Sequence, residues 1–211
     1  LAVKRIASIA KKSKSKLIHI STDYVFDGMK DRPYNEMDKP NPKNIYGKTK
    51  LDGELSILNI LLKDALIIRT SWVYSEYGNN FLKTMLRLAK EKKFLNIIDD
   101  QLGTPTYARD LAEVIMCIVG NSKFKNSNFD SNIIHYSNEG ECSWYDFAKA
   151  IFELENIKIE LQPIKSKDYN AEAQRPKFTV LDKNKIINNF KIKIPHWSSS
   201  LKKSLTFLEK I

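Results

Sequence analysis

Glycine is scarce. The chain holds seven in 211 residues, and none belongs to a G-x-G-x-x-G or G-x-x-G-x-x-G run. The glycine-rich turn that cradles phosphates between the first strand and helix of a nucleotide-binding sheet is therefore missing from this sequence. Cysteine is scarcer still. Cys117 and Cys142 are too few to staple a chain of this size. One falls in an apolar helical run and the other beside a turn, which implies reduced thiols and a cytoplasmic protein. No apolar run nears the roughly 20 residues a bilayer span needs, so no membrane partner is expected. The opening LAVKRIASIAKKSKSK has periodic apolar residues followed by basic ones, unlike a secretory signal. No His/Cys cluster has metal-ligand spacing, and no G-x-S-x-G elbow marks a serine hydrolase. Adjacent Asp99 and Asp100 would point to opposite sides of a strand and read as a surface turn. His19 and His135, inside apolar strands, read as core residues, and His196 as part of a surface turn.

What is present describes a folded globular chain, 42% hydrophobic and 28% charged, with room for one sizeable core or two interlocked ones. The net charge of +10 invites a nucleic-acid reading. The lysines are scattered, however, and their longest cluster, KKSKSK at 11–16, is short. They read as solvated faces, with part of the charge available to draw in an anionic small ligand such as a nucleotide diphosphate. No nucleic-acid partner is expected.

Apolar periodicity lays out alternating elements. Residues 1–14 have a helical period through Val3, Ile6, Ile9 and Ala10. LIHIS at 17–21 reads as a buried strand, followed by a long loop from Asp23 to Asn44 broken by Pro33, Pro40 and Pro42. Asn44 can cap a helix through about Lys63, with Leu51, Leu55, Leu58 and Leu62 on one face. ALIIRTS (65–71), FLNIIDD, NIIHYS (132–137) and IKIELQPI read as further strands. NNFLKTMLRLAKEKK reads as a helix with Phe81, Met85 and Leu88 aligned. Thr106 can cap YARDLAEVIMCIVG. Ser143, with Asp146, can cap SWYDFAKAIFELE in a capping box, and SLKKSLTFLEKI closes the chain as a helix. The alternation predicts an α/β fold: a Rossmann-type parallel sheet with helices on both faces, plus a smaller α/β substrate domain. Ligands of such sheets bind outside the carboxyl ends of the strands. There the sequence sets STDYVF, RTSWVY, DDQLGTPT and YSNEG, all rich in hydroxyls, carboxylates and amides.

In NIYGKTK, between the first two of these segments, Tyr46 and Lys50 stand four apart and share a helix face. A free phenol has a pKa of about 10, and lowering it by about three units takes roughly 4 kcal/mol of differential interaction. A nearby fixed ammonium contributes to that. A second hydroxyl, Thr22, would hydrogen-bond the same carbonyl oxygen and steady a developing alkoxide. The bare Tyr-x-x-x-Lys spacing is weak evidence, because Tyr145 and Lys149 repeat it. Tyr145 sits in a helix whose apolar face suits core packing. Tyr46 follows a strand-end Ser-Thr through a long loop and opens the helix to the next strand.

STDYVFDG, YGKTKLDGE, RTSWVY, Gly103-Thr104-Pro105-Thr106, YARDLA and AQRP with the later Leu181-Asp182 together resemble the dTDP-4-dehydrorhamnose reductase family of the extended short-chain dehydrogenase/reductase superfamily. The resemblance implies hydride transfer from NADPH or NADH to C4 of dTDP-4-dehydro-6-deoxy-L-mannose, giving dTDP-L-rhamnose. It implies Tyr46 as proton donor, Lys50 as the group that lowers its pKa and binds the nicotinamide ribose, and Thr22 as the hydroxyl tuning the carbonyl. Ser21 and Ser71, at the strand ends, are expected on the cofactor side. Asp23 is expected to contact the sugar, Tyr24 to line its pocket and Trp72 to pack on it, with Arg175 on the diphosphate. The alternative for Asp23 is a turn cap, and for Trp72 a core residue. The expected division is 1–73 and 108–140 as the remainder of a dinucleotide-binding domain, with 74–107 and 141–211 as the substrate domain. The glycine turn and first strands of the family have no counterpart here, so an N-terminally truncated sheet, weak cofactor binding and weak or no catalysis by these 211 residues alone are expected. A homodimer is an open expectation, and nothing in the sequence supports a magnesium site. Rivals within the same motifs are a reductase or epimerase of another nucleotide sugar, and a non-catalytic regulatory relative.

Overall fold

The structure, a computed structural model, describes residues 2–127, 132–169 and 173–208. Helix α1 (Ala2–Lys12) leads into β1 (Leu17–Thr22), and α2 (Ile45–Leu61) returns the chain to β2 (Ala65–Thr70). Then follow β3 (Val73–Tyr74), α3 (Phe81–Glu91), β4 (Phe94–Ile98), β5 (Leu102–Gly103) and β6 (Thr106–Tyr107). Helices α4 (Ala108–Gly120) and α5 (Ser122–Lys125) precede β7 (Ile133–His135). The chain ends with β8 (Cys142–Ser143), α6 (Trp144–Leu154), β9 (Glu160–Ile164), α7 (Asn184–Phe190) and α8 (Trp197–Leu208).

The central sheet is parallel, in the order β1-β2-β7. Every residue of β2 is buried, as expected of a parallel strand covered on both faces. Ala65 and Ile67 meet Ala7 and Ala10 of α1 and Ile57 and Leu61 of α2. Leu66 and Ile68 point the other way, onto Leu111, Val114 and Ile118 of α4 and Ile186 and Phe190 of α7. A second core joins α3, α6 and α8 to the parallel pair β4-β9, through Leu82, Met85, Leu95, Ile97, Phe147, Ile151, Leu201 and Leu205. The α/β class and the parallel sheet agree with the sequence.

Several local expectations need correction. The face of α2 turned inward carries Glu54, Ile57 and Leu61, while Leu55 and Leu62 are exposed. The helix ends at Leu61, and a 3-10 turn covers Leu62–Asp64. On α1 the buried residues are Ala7 and Ala10, with Ile6 and Ile9 exposed. Thr106 does not cap α4; it lies in β6, pairs with β3 and bonds the Thr70 hydroxyl at 3.3 Å. Helix α7 had no counterpart among the expected elements. The caps at Asn44 and Ser143 form as expected. Asn44 accepts the Gly47 amide at 2.8 Å, and Ser143 and Asp146 make both bonds of the capping box. The last three residues of the closing helix fall outside the described residues.

The motif YARDLA serves architecture. Asp110, in the first turn of α4, accepts bonds from Asn138 Nδ2 at 2.8 Å and from the Ser200 hydroxyl of α8, all buried. Asn138 in turn accepts the Tyr107 amide at 2.8 Å. A buried polar network in which each member is satisfied fixes one arrangement of the elements it joins. Here it holds α8 and its core against the central sheet.

Candidate active site

The carboxyl ends of β1 and β2 open into a cleft of about 670 Å³. Thr22, Asp23, Tyr24, Tyr46, Trp72 and Arg175 all line it, together with Trp144. A single cleft thus gathers every residue expected to touch the sugar. Three backbone devices build it. Thr22 ends β1 and caps a 3-10 turn over Asp23–Val25, its hydroxyl oxygen accepting the Tyr24 amide at 3.2 Å. Gly47 lets the first turn of α2 settle on the Tyr24 carbonyl; a Cβ there would lie 2.1 Å from that oxygen. This close approach sets Tyr46 beside Tyr24, ring edge to ring face, with centroids 5.8 Å apart. Trp72 follows β2 with φ of +47°, and its indole lies on Gly103, where a Cβ would come within 2.7 Å. The Trp72 and Trp144 rings stack at 3.6 Å, a partner the sequence did not reveal.

Tyr46 is 54% exposed, open to the cleft. Lys50, one turn further along α2, is half-buried and donates from Nζ to the Ile20 carbonyl at 2.6 Å. Burial draws its ammonium below the ordinary lysine value, and the Glu54 carboxylate opposes that. Glu54 is the next step of the same helix face. It is 1% exposed, and Arg69 of β2, 2% exposed, binds it twice: Nη2 to Oε2 at 2.6 Å and Nε to Oε1 at 3.0 Å. The guanidinium also lies over the Phe26 ring, 5.1 Å from its centroid. Tyr46, Lys50 and Glu54 therefore descend from solvent into the core in single-turn steps. The buried pair was not anticipated from sequence.

Ser21 and Ser71 do not line the cleft. The Ser21 hydroxyl donates to Glu54, and the Ser71 hydroxyl to the Thr104 carbonyl at 2.7 Å. Arg175 is exposed where three grooves meet: the cleft, an apolar groove along α3 and β4, and a cationic groove lined by Lys43, Lys165, Lys167 and Lys177. Those lysines drew no notice in the sequence because they are far apart along the chain. Tyr145 packs against the second core and Lys149 pairs with Glu153 on the surface; neither lines this cleft. Asp99 pairs with Lys165 at 3.0 Å, and Asp100 accepts the Ser166 amide at 2.7 Å.

Asp23 is buried, and desolvation pushes its carboxyl up to about 7, opposed by the Thr179 and Thr22 hydroxyls nearby and by the backbone. The ordinary value is 3.8. Between those two pH values the folded chain keeps a proton that the unfolded chain has lost. This group therefore contributes stability in acid that declines as pH rises towards 7 and stays lost above it. Asp23→Asn is expected to remove that decline. Urea unfolding at pH 4 and pH 8 checks it: the variant should gain on the parent chain at the higher pH. Equal differences at both would contradict it.

Residues 1–209 match the family described as RmlD substrate binding domain. The chain is 42% identical over 188 residues to a spore coat polysaccharide biosynthesis protein of Bacillus subtilis (strain 168), covering 89% of this chain and 63% of that one. It is 38% identical over 214 residues to a dTDP-4-dehydrorhamnose reductase of Escherichia coli (strain K12), covering 98% and 70%. Among solved structures it is similar to dTDP-4-dehydrorhamnose reductase from Bacillus anthracis str. Ames in complex with NADP, with a TM-score of 0.87 and 37% identity over 97% of this chain and 70% of that one. The chain thus spans about two thirds of the length of these relatives. A UDP-galactose 4-epimerase, 17% identical with a TM-score of 0.77, shares the fold.

Proposed function

Because the chain belongs to the RmlD substrate-binding-domain family, we propose that it carries the sugar-binding and proton-donating part of a nucleotide-sugar reductase. The reaction is reduction of the C4 keto group of dTDP-4-dehydro-6-deoxy-L-mannose to dTDP-L-rhamnose. The observation that carries this reading is the cleft that brings Thr22, Tyr24, Tyr46, Trp72 and Arg175 together at the ends of β1 and β2.

Tyr46 gives its phenolic proton to the C4 oxygen as hydride arrives, and Thr22 steadies the charge that develops there. Tyr46 and Lys50 are the residues that would hold the nicotinamide ribose. A half-buried ammonium anchored on the Ile20 carbonyl, beside an open phenol, suits a polar ribose edge. The dinucleotide, NADPH or NADH, supplies the hydride when bound. Trp72, braced by Trp144, offers an indole face to the sugar. Arg175 and the adjoining lysines suit a diphosphate. The segments 1–73 and 108–140 belong to the dinucleotide side in this reading, and 74–107 and 141–211 to the substrate side. A cytoplasmic location and a homodimer belong to the same proposal. Among the described residues no helix is long and apolar enough to cross a membrane.

Because the chain on its own is expected to bind the dinucleotide weakly, the test is NADPH consumption by the chain joined to its family's glycine-turn segment, with the dTDP-linked 4-keto sugar against its UDP-linked counterpart. Preferential turnover of the dTDP sugar is expected. Turnover of the UDP sugar alone would redirect the assignment, and failure with both would end it.

A further inference from the structure

Thr22 has no hydrogen to spare. Its hydroxyl oxygen accepts the Tyr24 amide at 3.2 Å, and its one hydrogen goes to Asp23 Oδ1 at 3.0 Å. A hydroxyl has a single hydrogen and two lone pairs. In this arrangement nothing remains to donate to a substrate oxygen. Asp23 is equally unusual. It is 2% exposed, it lines the cleft, and its Oδ2 has no hydrogen-bond partner. The Thr179 hydroxyl faces the same carboxyl from outside bonding geometry. The other titratable and charged groups around it are Tyr24 on its own turn, Tyr46 from α2, and Lys43 and Arg175 across the cleft. None of their side chains forms an ion pair or hydrogen bond with it; the backbone at Asp23 and Tyr24 is the polar neighbour that favours its ionised form.

Resting on the reductase reading, we infer that Asp23 is a positioning residue that works as a neutral acid: its O–H donates to Thr22 and turns the threonine hydrogen towards the reacting oxygen. With the carboxyl neutral, the bond between the two residues reverses direction. Thr22 then accepts from Asp23 and from the Tyr24 amide, which fills both lone pairs, and its hydrogen points into the cleft. No proton is consumed in this turn, and Tyr46 still supplies the proton of the product. With the carboxyl ionised, Thr22 points back at Asp23 and the developing charge loses a donor. Burial raises the carboxyl into the neutral pH range, so both forms are populated under ordinary conditions.

Two measurements test this. The first follows the Asp23 carboxyl carbon and the Thr22 Cβ by NMR in the carbon-13-labelled chain across a pH titration. Both signals should move with one midpoint near pH 7, and the Thr22 movement should vanish in Asp23→Asn. An Asp23 midpoint below about 5, or a Thr22 signal indifferent to Asp23, overturns the inference. The second is the pH profile of kcat/KM for the joined protein with the dTDP-4-keto sugar. The parent protein should lose activity by about tenfold per pH unit above the midpoint. In Asp23→Asn the amide N–H donates to Thr22 at every pH, so the part of this limb that runs through Thr22 should disappear, leaving only what the proton donor Tyr46 itself sets. In Thr22→Val that part should disappear as well, at a lower rate throughout. An unchanged limb in Asp23→Asn overturns the inference while leaving the reductase reading intact. Inactivity of the parent protein at all pH values removes the reductase reading, and the carbon titration still decides whether Asp23 turns Thr22.

Discussion

Replacing Tyr46 with phenylalanine in the joined protein is expected to lower kcat for the dTDP-4-keto sugar by about 10²- to 10⁴-fold, the usual contribution of a positioned general acid. The ring would stay: phenylalanine keeps the ring that meets Tyr24 edge to face, and Gly47 still seats the helix on the Tyr24 carbonyl. Affinity for the nucleotide sugar should therefore hold within a few-fold, so that the loss falls on kcat rather than KM. Rapid-mixing measurement of one turnover of NADPH oxidation, with calorimetric titration of the sugar nucleotide, separates the two. A phenylalanine variant turning over at the parent rate would mean that the proton comes from elsewhere. Tyr145→Phe, at the repeated spacing, is the control and should change neither quantity.

Breaking the Glu54–Arg69 pair should produce the largest loss of stability. Arg69→Ala strands a carboxylate that is 1% exposed, and Glu54→Ala strands a guanidinium that is 2% exposed. Removing one partner of such a pair costs about 3–5 kcal/mol, because the survivor keeps its desolvation penalty without compensation. The double change to apolar residues of similar size should recover most of it. Urea unfolding of Arg69→Ala, Glu54→Ala and the variant that combines both alanines gives the interaction energy directly. Single variants within about 1 kcal/mol of the parent would show that water reaches the site. Lys50 feels Glu54 electrostatically from the next turn, so the recovered double variant should also show an altered pH dependence of turnover.

This pair also shows where the sequence stopped being informative. The apolar residues of α2 suggested a face through Leu51, Leu55, Leu58 and Leu62. The real inner face holds Glu54, because a guanidinium waits for it on the neighbouring strand. Periodicity weighs hydrophobicity alone and cannot see a charge satisfied from another element. The caps at Asn44 and Ser143 were legible because their chemistry is complete within four residues. Thr106 looked like a cap for the same reason, yet pairing of β6 with β3 took it into a strand. Most of the cleft was legible, since Thr22, Tyr46 and Trp72 all come from strand ends or the helix between them. Trp144 and the cationic groove were not, because distant segments deliver them.

The Trp72–Trp144 stack has an optical consequence. The protein has three tryptophans, and two of them lie face to face, 10° from parallel, on the wall of the cleft. Transition dipoles that close couple to each other, so this one spot should leave a strong signature in the near-ultraviolet dichroism of the chain. The remaining indole, Trp197, packs edge-on against Phe147 in the second core and serves as a steady background. Anything that slides against Trp72 announces itself in the spectrum without an added dye.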